Sequence, residues 1–350
     1  MLALRAVGWA QPPVLQDVPE PRPGEGEVLL EVLAAGVCQS DLHVLDAPEG
    51  VLPYALPCTL GHEVAGRVVA LGPGVAGPDL GAEVLVHGPV GCGGCPACAV
   101  GEDNHCRRRA ELRSAGIGLG RDGGMAELVV VPARALVGLR GLDPVAAVGL
   151  TDAGLTSYAA LEATLPELRE GTTAVVVGVG GLGHLAVQVL RALTDAQVIA
   201  VDSRVAGREL ATASGAHAAL EPDGWAEQVQ ERMAGAGAEL VLDVVGSQST
   251  LDSALRVVAT GGQLTVVGSG DGALALTKGQ QLVQGLRVAL PFWGSRRQLE
   301  RVVELAVAGV LHVDHELHPL SDGPAVLERL RRGEVSGRAV LVPDREAPAC

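Results

Sequence analysis

Two periods run along the chain. Up to about residue 150 the pattern is one of short apolar runs broken by Gly and Pro: EVLLEVLAAGV at 27–37, EVAGRVVALG at 63–72, AEVLVH at 82–87 and MAELVVVP at 125–132. Runs of this length and content predict the strands of a β-rich domain. From about 172 the pattern changes to strand, helix, strand. VVVG (175–178), VIAVD (198–202), HAAL (217–220), ELVLDVV (239–245), QLTVVG (263–268) and RVAL (287–290) are separated by stretches of helical length and period. Such units predict an open parallel sheet with helices on both faces, an α/β fold. After 290 comes a helical run, RQLERVVELAVAG, then mixed segments ending in GRAVLVP. No strand-helix alternation remains to extend the parallel sheet, so this tail is assigned back to the first domain. The expected division is 1–151, 152–290 and a return segment 291–350, with a ligand in the cleft between the domains.

Composition narrows the chemistry. A length of 350 residues accommodates two cores, and no internal repeat or low-complexity tract interrupts either half. The start, MLALRAVGWAQPPV, lacks a charged region followed by an apolar one, and no apolar run reaches spanning length. A soluble cytoplasmic protein is expected. The net charge of -15 and a longest basic run of only Arg107, Arg108 and Arg109 speak against nucleic acid or an anionic membrane as partner.

At the first strand-to-helix turn stands VVVGVGGLGHLAVQVLRAL, where Gly178, Gly180 and Gly183, with Gly181 and Leu182 between them, give G-x-G-x-x-G. In a Gly-rich chain this motif alone is an ordinary tight turn. Here it follows a β-branched strand, opens an amphipathic helix, and precedes Asp202 at the end of the next strand, which together make a dinucleotide site. Gly178 makes the turn, Gly180 admits the pyrophosphate to backbone amides at the helix N-terminus, and Gly183 lets helix and strand pack closely. A carboxylate at 202 accepts from ribose hydroxyls and repels a 2′-phosphate, which favours NAD over NADP; Arg204, two residues later, would receive that phosphate if Asp202 turned away. Val267, Gly268 and Ser269 end a later strand at the same sheet edge and are expected at the nicotinamide.

Cys92, Cys95, Cys98 and Cys106 are spaced C-x2-C-x2-C-x7-C. Clustered thiols in a reducing compartment are metal ligands or redox groups before they are disulfides. A bacterial ferredoxin run has a shorter last gap, and a thioredoxin-like pair needs only two cysteines. Four thiolates in a glycine-rich loop suit a tetrahedral structural zinc. Cys38 in GVCQSDLHVLD and His62 in TLGHEVAG, taken singly, read as a buried small residue and a satisfied histidine.

Taken in order, Cys38-x-Ser40-Asp41, Gly61-His62-Glu63, the four-cysteine loop, TDAGLTSY and the Gly178 motif resemble the zinc-dependent medium-chain alcohol dehydrogenases, over essentially the whole chain and with most likeness to the bacterial secondary-alcohol branch. The resemblance implies a chaperonin-10-like catalytic domain, a Rossmann domain, NAD, and two zinc ions per chain, one structural and one catalytic. It implies Cys38, His62 and Asp152 as catalytic ligands, with Glu63 the competing third. Asp152 on its own reads as a helix N-cap. Three ligands and an open position let zinc lower the pKa of a bound alcohol, so that an alkoxide passes its hydride to the nicotinamide. By resemblance Ser40 takes the proton and His43 relays it, with direct release to solvent as the alternative. Asp41 orients His62, Gln39 departs from the basic or histidine residue frequent there, Thr156 packs near the nicotinamide, and Arg338 reaches the pyrophosphate.

The substrate pocket is read from few residues. Phe292 and Trp293 stand side by side where the parallel-sheet segment hands back to the first domain, and with Tyr54 and Leu119 they are expected either as core or as a pocket wall. The substrate class is a small alcohol, ketone or aldehyde, secondary alcohols first, with a polyol dehydrogenase or a non-catalytic zinc-binding relative as alternatives. A homo-oligomer, tetramer or dimer, is expected from the resemblance.

Overall fold

Strand Glu27–Val37 shows how the first half of the chain is built. Val28, Leu30 and Val32 are buried and alternate with half-buried Glu27, Leu29 and Glu31, as a strand with one face on a core requires. From Ala34 to Val37 every residue is buried, so this end of the strand is covered on both faces. The structure, a computed structural model, describes residues 1–275 and 283–344. In it Glu27–Val37 is central to a seven-stranded sheet ordered Leu136–Gly138, Glu83–Val86, Glu63–Leu71, Glu27–Val37, Arg338–Val342, His315–Pro319, with Leu128–Pro132 also paired to Glu27–Val37. The register sets Gly36 opposite Glu63 and Val37 opposite Ala339. Cys38, which follows one strand, His62, which precedes the second, and Arg338, which begins the third, therefore meet at one end of the sheet.

The chain divides into two compact units, Met1–Leu155 with Trp293–Cys350, and Thr156–Phe292. Asp152 belongs to the first of them. That unit also holds a three-stranded sheet of Val14–Asp17, Leu2–Ala6 and Cys58–Thr59, which the apolar pattern does not announce because its strands are two to five residues long. The run after 290 becomes the helix Arg296–Val307, opened by Ser295, whose side chain accepts from the Gln298 N–H while Gln298 accepts from the Ser295 N–H.

The second unit is the doubly wound α/β sheet that the alternation predicts. Six parallel strands lie in the order Ala218–Leu220, Gln197–Val201, Thr173–Val177, Ala238–Asp243, Val258–Val266, Arg287–Ala289. Thr173–Val177 (TAVVV) is buried at every position, the pattern of a parallel strand with helices on both faces. Val175, Val177, Ile199, Val201, Leu264 and Trp225 share one core. The first strand of the unit lies between the second and the fourth, so the order reverses beside it, and the crevice at the carboxyl ends of these strands is where such sheets bind ligands. No helix among the described residues is long and apolar enough to cross a membrane.

Candidate active site

In the first unit Cys38 Sγ, His62 and Asp152 bring one donor atom each within 4.8 Å of one another, and all three residues are buried. The Cys38 thiol donates to Asp152 Oδ2 at 3.5 Å, and His62 Nε2 lies 3.5 Å from the same oxygen. Asp41 fixes the loops that carry the first two: its Oδ2 accepts from the Cys38 N–H at 2.9 Å, its Oδ1 accepts from the Gly61 N–H at 3.2 Å, and Oδ1 lies 3.5 Å from His62 Nδ1. Burial on its own would lower the pKa of His62, but Asp41 and Asp152 outweigh it and hold the imidazole well above its usual value. Among the described residues neither ring nitrogen of His62 has a hydrogen-bond partner, although the residue is only 1% exposed.

These atoms fit a metal. Zinc bonds of about 2.0–2.3 Å at tetrahedral angles set neighbouring ligand atoms ~3.4–3.8 Å apart, and the 3.5 Å separations of Cys38 Sγ and His62 Nε2 from Asp152 Oδ2 fall in that range. A buried imidazole with both nitrogens unbonded is otherwise costly. Cys, His and carboxylate donors suit Zn²⁺.

Glu63 stands beside this group but outside it. Its Oε1 accepts from the Ala153 N–H at 3.1 Å and lies 3.2 Å from Arg338 Nη2, and its Oε2 has no hydrogen-bond partner among the described residues. Burial pushes the Glu63 carboxyl up to about 7, against the pull of Arg338. Gly36, opposite Glu63, is the only residue type this contact admits, because a Cβ there would lie 1.7 Å from Glu63 Oε2. Arg338, expected at a pyrophosphate, is instead only 4% exposed, donates to the Val37 carbonyl at 3.1 Å, and lies 4.0 Å from Asp152 Oδ2. A buried guanidinium needs carboxylates, and the interior supplies two.

Ser40 Oγ is 3.9 Å from Cys38 Sγ, and His43, one turn further along the helix Gln39–Asp46, is exposed. Trp293 packs edge-on to His62 at a centroid distance of 5.5 Å, and its Nε1 donates to the carbonyl of Thr151, next to Asp152, at 3.2 Å. It does so from a left-handed backbone conformation, φ 56°, that costs a bulky residue about 1–3 kcal/mol. Tyr54 packs over Gly120, next to buried Leu119, whereas Phe292 is 42% exposed. Nothing in the residue types distinguishes the two neighbouring rings; the backbone turn at 293 does.

Cys92, Cys95, Cys98 and Cys106 form a second group within 4.8 Å, none of them in a disulfide. Cys95 and Cys98 sulfurs are 3.5 Å apart, and the Cys92 N–H donates to Cys106 Sγ at 3.3 Å. Backbone N–H groups of Cys98 and Arg107 pull the Cys95 thiol down to about 6. Four convergent sulfurs with amide donors around them fit tetrahedral zinc. Asp103, which the sequence does not single out, joins Gly91 N–H (2.8 Å) and Arg134 (2.8 Å) and closes the loop.

In the second unit Gly178 adopts φ +90°, and a Cβ at Gly183 would lie 1.9 Å from the Gly178 carbonyl, so the turn admits only glycine at both positions. The helix Gly183–Leu193 opens from it. Asp202 Oδ2 accepts from the Val179 N–H at 2.7 Å and Oδ1 from the Arg204 N–H at 2.8 Å, which ties the acid to the turn. Arg204 folds back on Asp202 (Nε to Oδ1, 3.3 Å) and is the nearest side chain to the space above Gly180. Thr156 is buried; Val267 and Gly268 N–H groups both donate to the Asp243 carbonyl, with Ser269 exposed beyond them.

The Alcohol dehydrogenase GroES-like domain family matches residues 24–141 and the Zinc-binding dehydrogenase family matches residues 181–308. An NAD-dependent alcohol dehydrogenase of Sulfolobus acidocaldarius is 33% identical, covering 97% of this chain and 99% of its own length. Among solved structures, the alcohol dehydrogenase of Aeropyrum pernix superposes with a TM-score of 0.91 at 35% identity, over 98% of this chain and 100% of that one. Acetophenone reductase from Geotrichum candidum, solved with NAD, gives 0.82 at 32% identity, over 97% and 96%.

The Glu63–Arg338 contact generates a stability test. Arg338→Met is expected to lower the unfolding free energy by ~3 kcal/mol, the lower end for a broken buried pair, because a carboxyl already pushed up to about 7 escapes part of the cost by taking a proton. Adding Glu63→Gln should recover part of the loss. Urea titrations of the three proteins measure this, and additive losses in the double variant would show that the two residues do not interact.

Proposed function

The chain belongs to the zinc-type medium-chain alcohol dehydrogenase family, and from that premise we propose that it oxidises secondary alcohols, and reduces the corresponding ketones, with NAD. The observation that carries the reading is the buried convergence of Cys38 Sγ, His62 and Asp152 in a chain that also has the Gly178 turn tied to Asp202. When bound, zinc supplies a Lewis acid for the substrate oxygen and NAD accepts a hydride from its carbon. The rest is work for the protein's own groups.

Cys38, His62 and Asp152 would hold the catalytic zinc, and Cys92, Cys95, Cys98 and Cys106 a structural one, two per chain. Asp41 keeps the loops of Cys38 and His62 in place. Glu63, held back by Arg338 and the Ala153 N–H, stands ready to exchange with Asp152. Oxidation releases one proton beyond the hydride. Ser40, beside Cys38, is placed to take it, and exposed His43 to pass it to water. Trp293, beside His62, with Tyr54 and Leu119, makes the apolar wall against which a substituent packs; Thr156, Val267, Gly268 and Ser269 serve the nicotinamide end. The reading extends to a cytoplasmic homo-oligomer, in line with the resemblance.

Elemental analysis should find two zinc ions per chain, with mild chelation removing one of them together with the activity. One metal in the active protein, or iron, overturns the assignment. For substrates, a series of 2-alkanols and 1-phenylethanol is measured against ethanol, glycerol and sorbitol with NAD. Because burying a CH2 is worth about 0.8 kcal/mol, kcat/KM should rise several-fold per added carbon until the wall is covered, and Trp293→Ala should flatten that trend with zinc retained. Sorbitol outperforming the 2-alkanols would replace this reading with a polyol dehydrogenase.

Cofactor choice rests on charge at 202. Asp202→Asn keeps an acceptor for the Val179 N–H but removes the repulsion of a 2′-phosphate, with Arg204 already at hand. The ratio of kcat/KM for NAD over NADP is expected to fall about tenfold, the effect of ~1.4 kcal/mol. A wild-type protein that prefers NADP contradicts the role given to Asp202.

A further inference from the structure

Asp243 is a fully buried acid that the chemistry above does not use. It ends the strand Ala238–Asp243, in register with Val177 on one side and Val266 on the other, at the centre of the carboxyl edge of the parallel sheet. Its Oδ1 accepts two hydrogen bonds, from the N–H of Val245 (2.8 Å) and of Gly246 (2.9 Å). Its main-chain carbonyl accepts two more, from Val267 (2.8 Å) and Gly268 (3.1 Å). One residue thus anchors both the turn after its own strand and the segment after the next. The two are locked together further: Gly270 N–H donates to the Val245 carbonyl at 3.1 Å, and a Cβ on Gly246 would lie 2.3 Å from the Gly268 carbonyl. On its other side the turn abuts the dinucleotide turn, because a Cβ on Gly178 would lie 2.8 Å from Val245 Cγ2.

Asp243 Oδ2 is buried and has no hydrogen-bond partner among the described residues. A buried acceptor left unpaired costs stability, and a residue kept at that cost where an apolar one would pack calls for an explanation other than stability. The side chain carried by the turn it fixes, Val245, is 41% exposed and stands between Gly178 and Gly268 at the carboxyl edge of the sheet, where such sheets bind ligands.

We infer that Asp243 is a positioning residue of the cofactor site, setting NAD affinity by fixing the Val244–Ser247 turn and the Val267–Ser269 segment against the Gly178 turn. The inference rests on the reading of this unit as the NAD site. It acts through backbone N–H groups and Val245, not by touching the cofactor.

The test is NADH binding by fluorescence titration to the zinc-loaded protein, with KM for NAD and KM for alcohol measured alongside. Asp243→Ala, which removes both side-chain acceptor bonds, is expected to weaken NADH and raise KM for NAD about tenfold or more, with KM for alcohol changed less than about twofold and zinc content unchanged. Asp243→Asn, whose amide oxygen can still accept from Val245 and Gly246, should stay within about threefold of wild type. Gly246→Ala, which forces the turn off Gly268, should weaken NADH as Asp243→Ala does. Wild-type affinity in Asp243→Ala or Gly246→Ala, or an equal rise in both KM values, overturns the proposal, as does an Asn variant as weak as Ala. If Asp243→Ala does not fold, the Asn and Gly246→Ala results decide by the same criteria. Failure of the wild type to bind NADH is a separate outcome: it removes the NAD reading and this inference with it.

Discussion

One buried guanidinium, Arg338, faces the two acids Glu63 and Asp152 in the first unit. Cys38, His62 and Asp152, with Glu63 beside them, are all less than one-tenth exposed, and among the described residues Arg338 is the cation of fixed charge that meets their acids, 3.2 Å from Glu63 and 4.0 Å from Asp152. Acids cannot be collected in an interior without such a partner. The contact depends in turn on backbone geometry: the 1.7 Å clearance at Gly36 and the register that sets Gly36 opposite Glu63. Asp152, rather than a thiol, sits in the third position of the group, which adds another acid to the same interior and gives Arg338 a second one to serve.

The second unit solves the opposite problem. The cofactor site proposed for it is made of backbone rather than side chains, so it needs rigid turns at the carboxyl edge of the sheet. Asp202 ties the first turn to the second strand through the Val179 N–H, and Asp243 ties the fourth and fifth strands' turns together. In both cases a carboxylate accepts amide N–H groups that no strand partner reaches. Arg204 lies over the same space and takes part in holding Asp202.

The parts of this organisation that follow a period are legible in the sequence. The strand-helix alternation from 172 to 290 is, because continuous runs such as TAVVV can be buried only under helices on both faces. The four cysteines are, because their spacing has few other uses. What the chain leaves unread depends on partners far apart in sequence. Arg338 in GRAVLVP gives no sign that its carboxylates come from 63 and 152. Asp41 and Asp103 are acids among many until Gly61 and Arg134 are brought beside them. Phe292 and Trp293 look alike, and only the left-handed turn at 293 sends one ring to His62 and leaves the other 42% exposed. Asp243 offers a signal, an acid set inside the apolar run LVLDVV three residues ahead of Gly246.

The central claim is that Cys38, His62 and Asp152 are metal ligands and not a structural cluster of buried polar groups. Crystals of the protein as purified, with diffraction recorded on both sides of the zinc absorption edge, test it directly. The account expects two anomalous peaks per chain, one among the sulfurs of Cys92, Cys95, Cys98 and Cys106, the other bonded to Cys38 Sγ, His62 and Asp152 at ~2.0–2.3 Å. A map with density only at the four-cysteine loop, and His62 hydrogen-bonded to its neighbours instead, would contradict it.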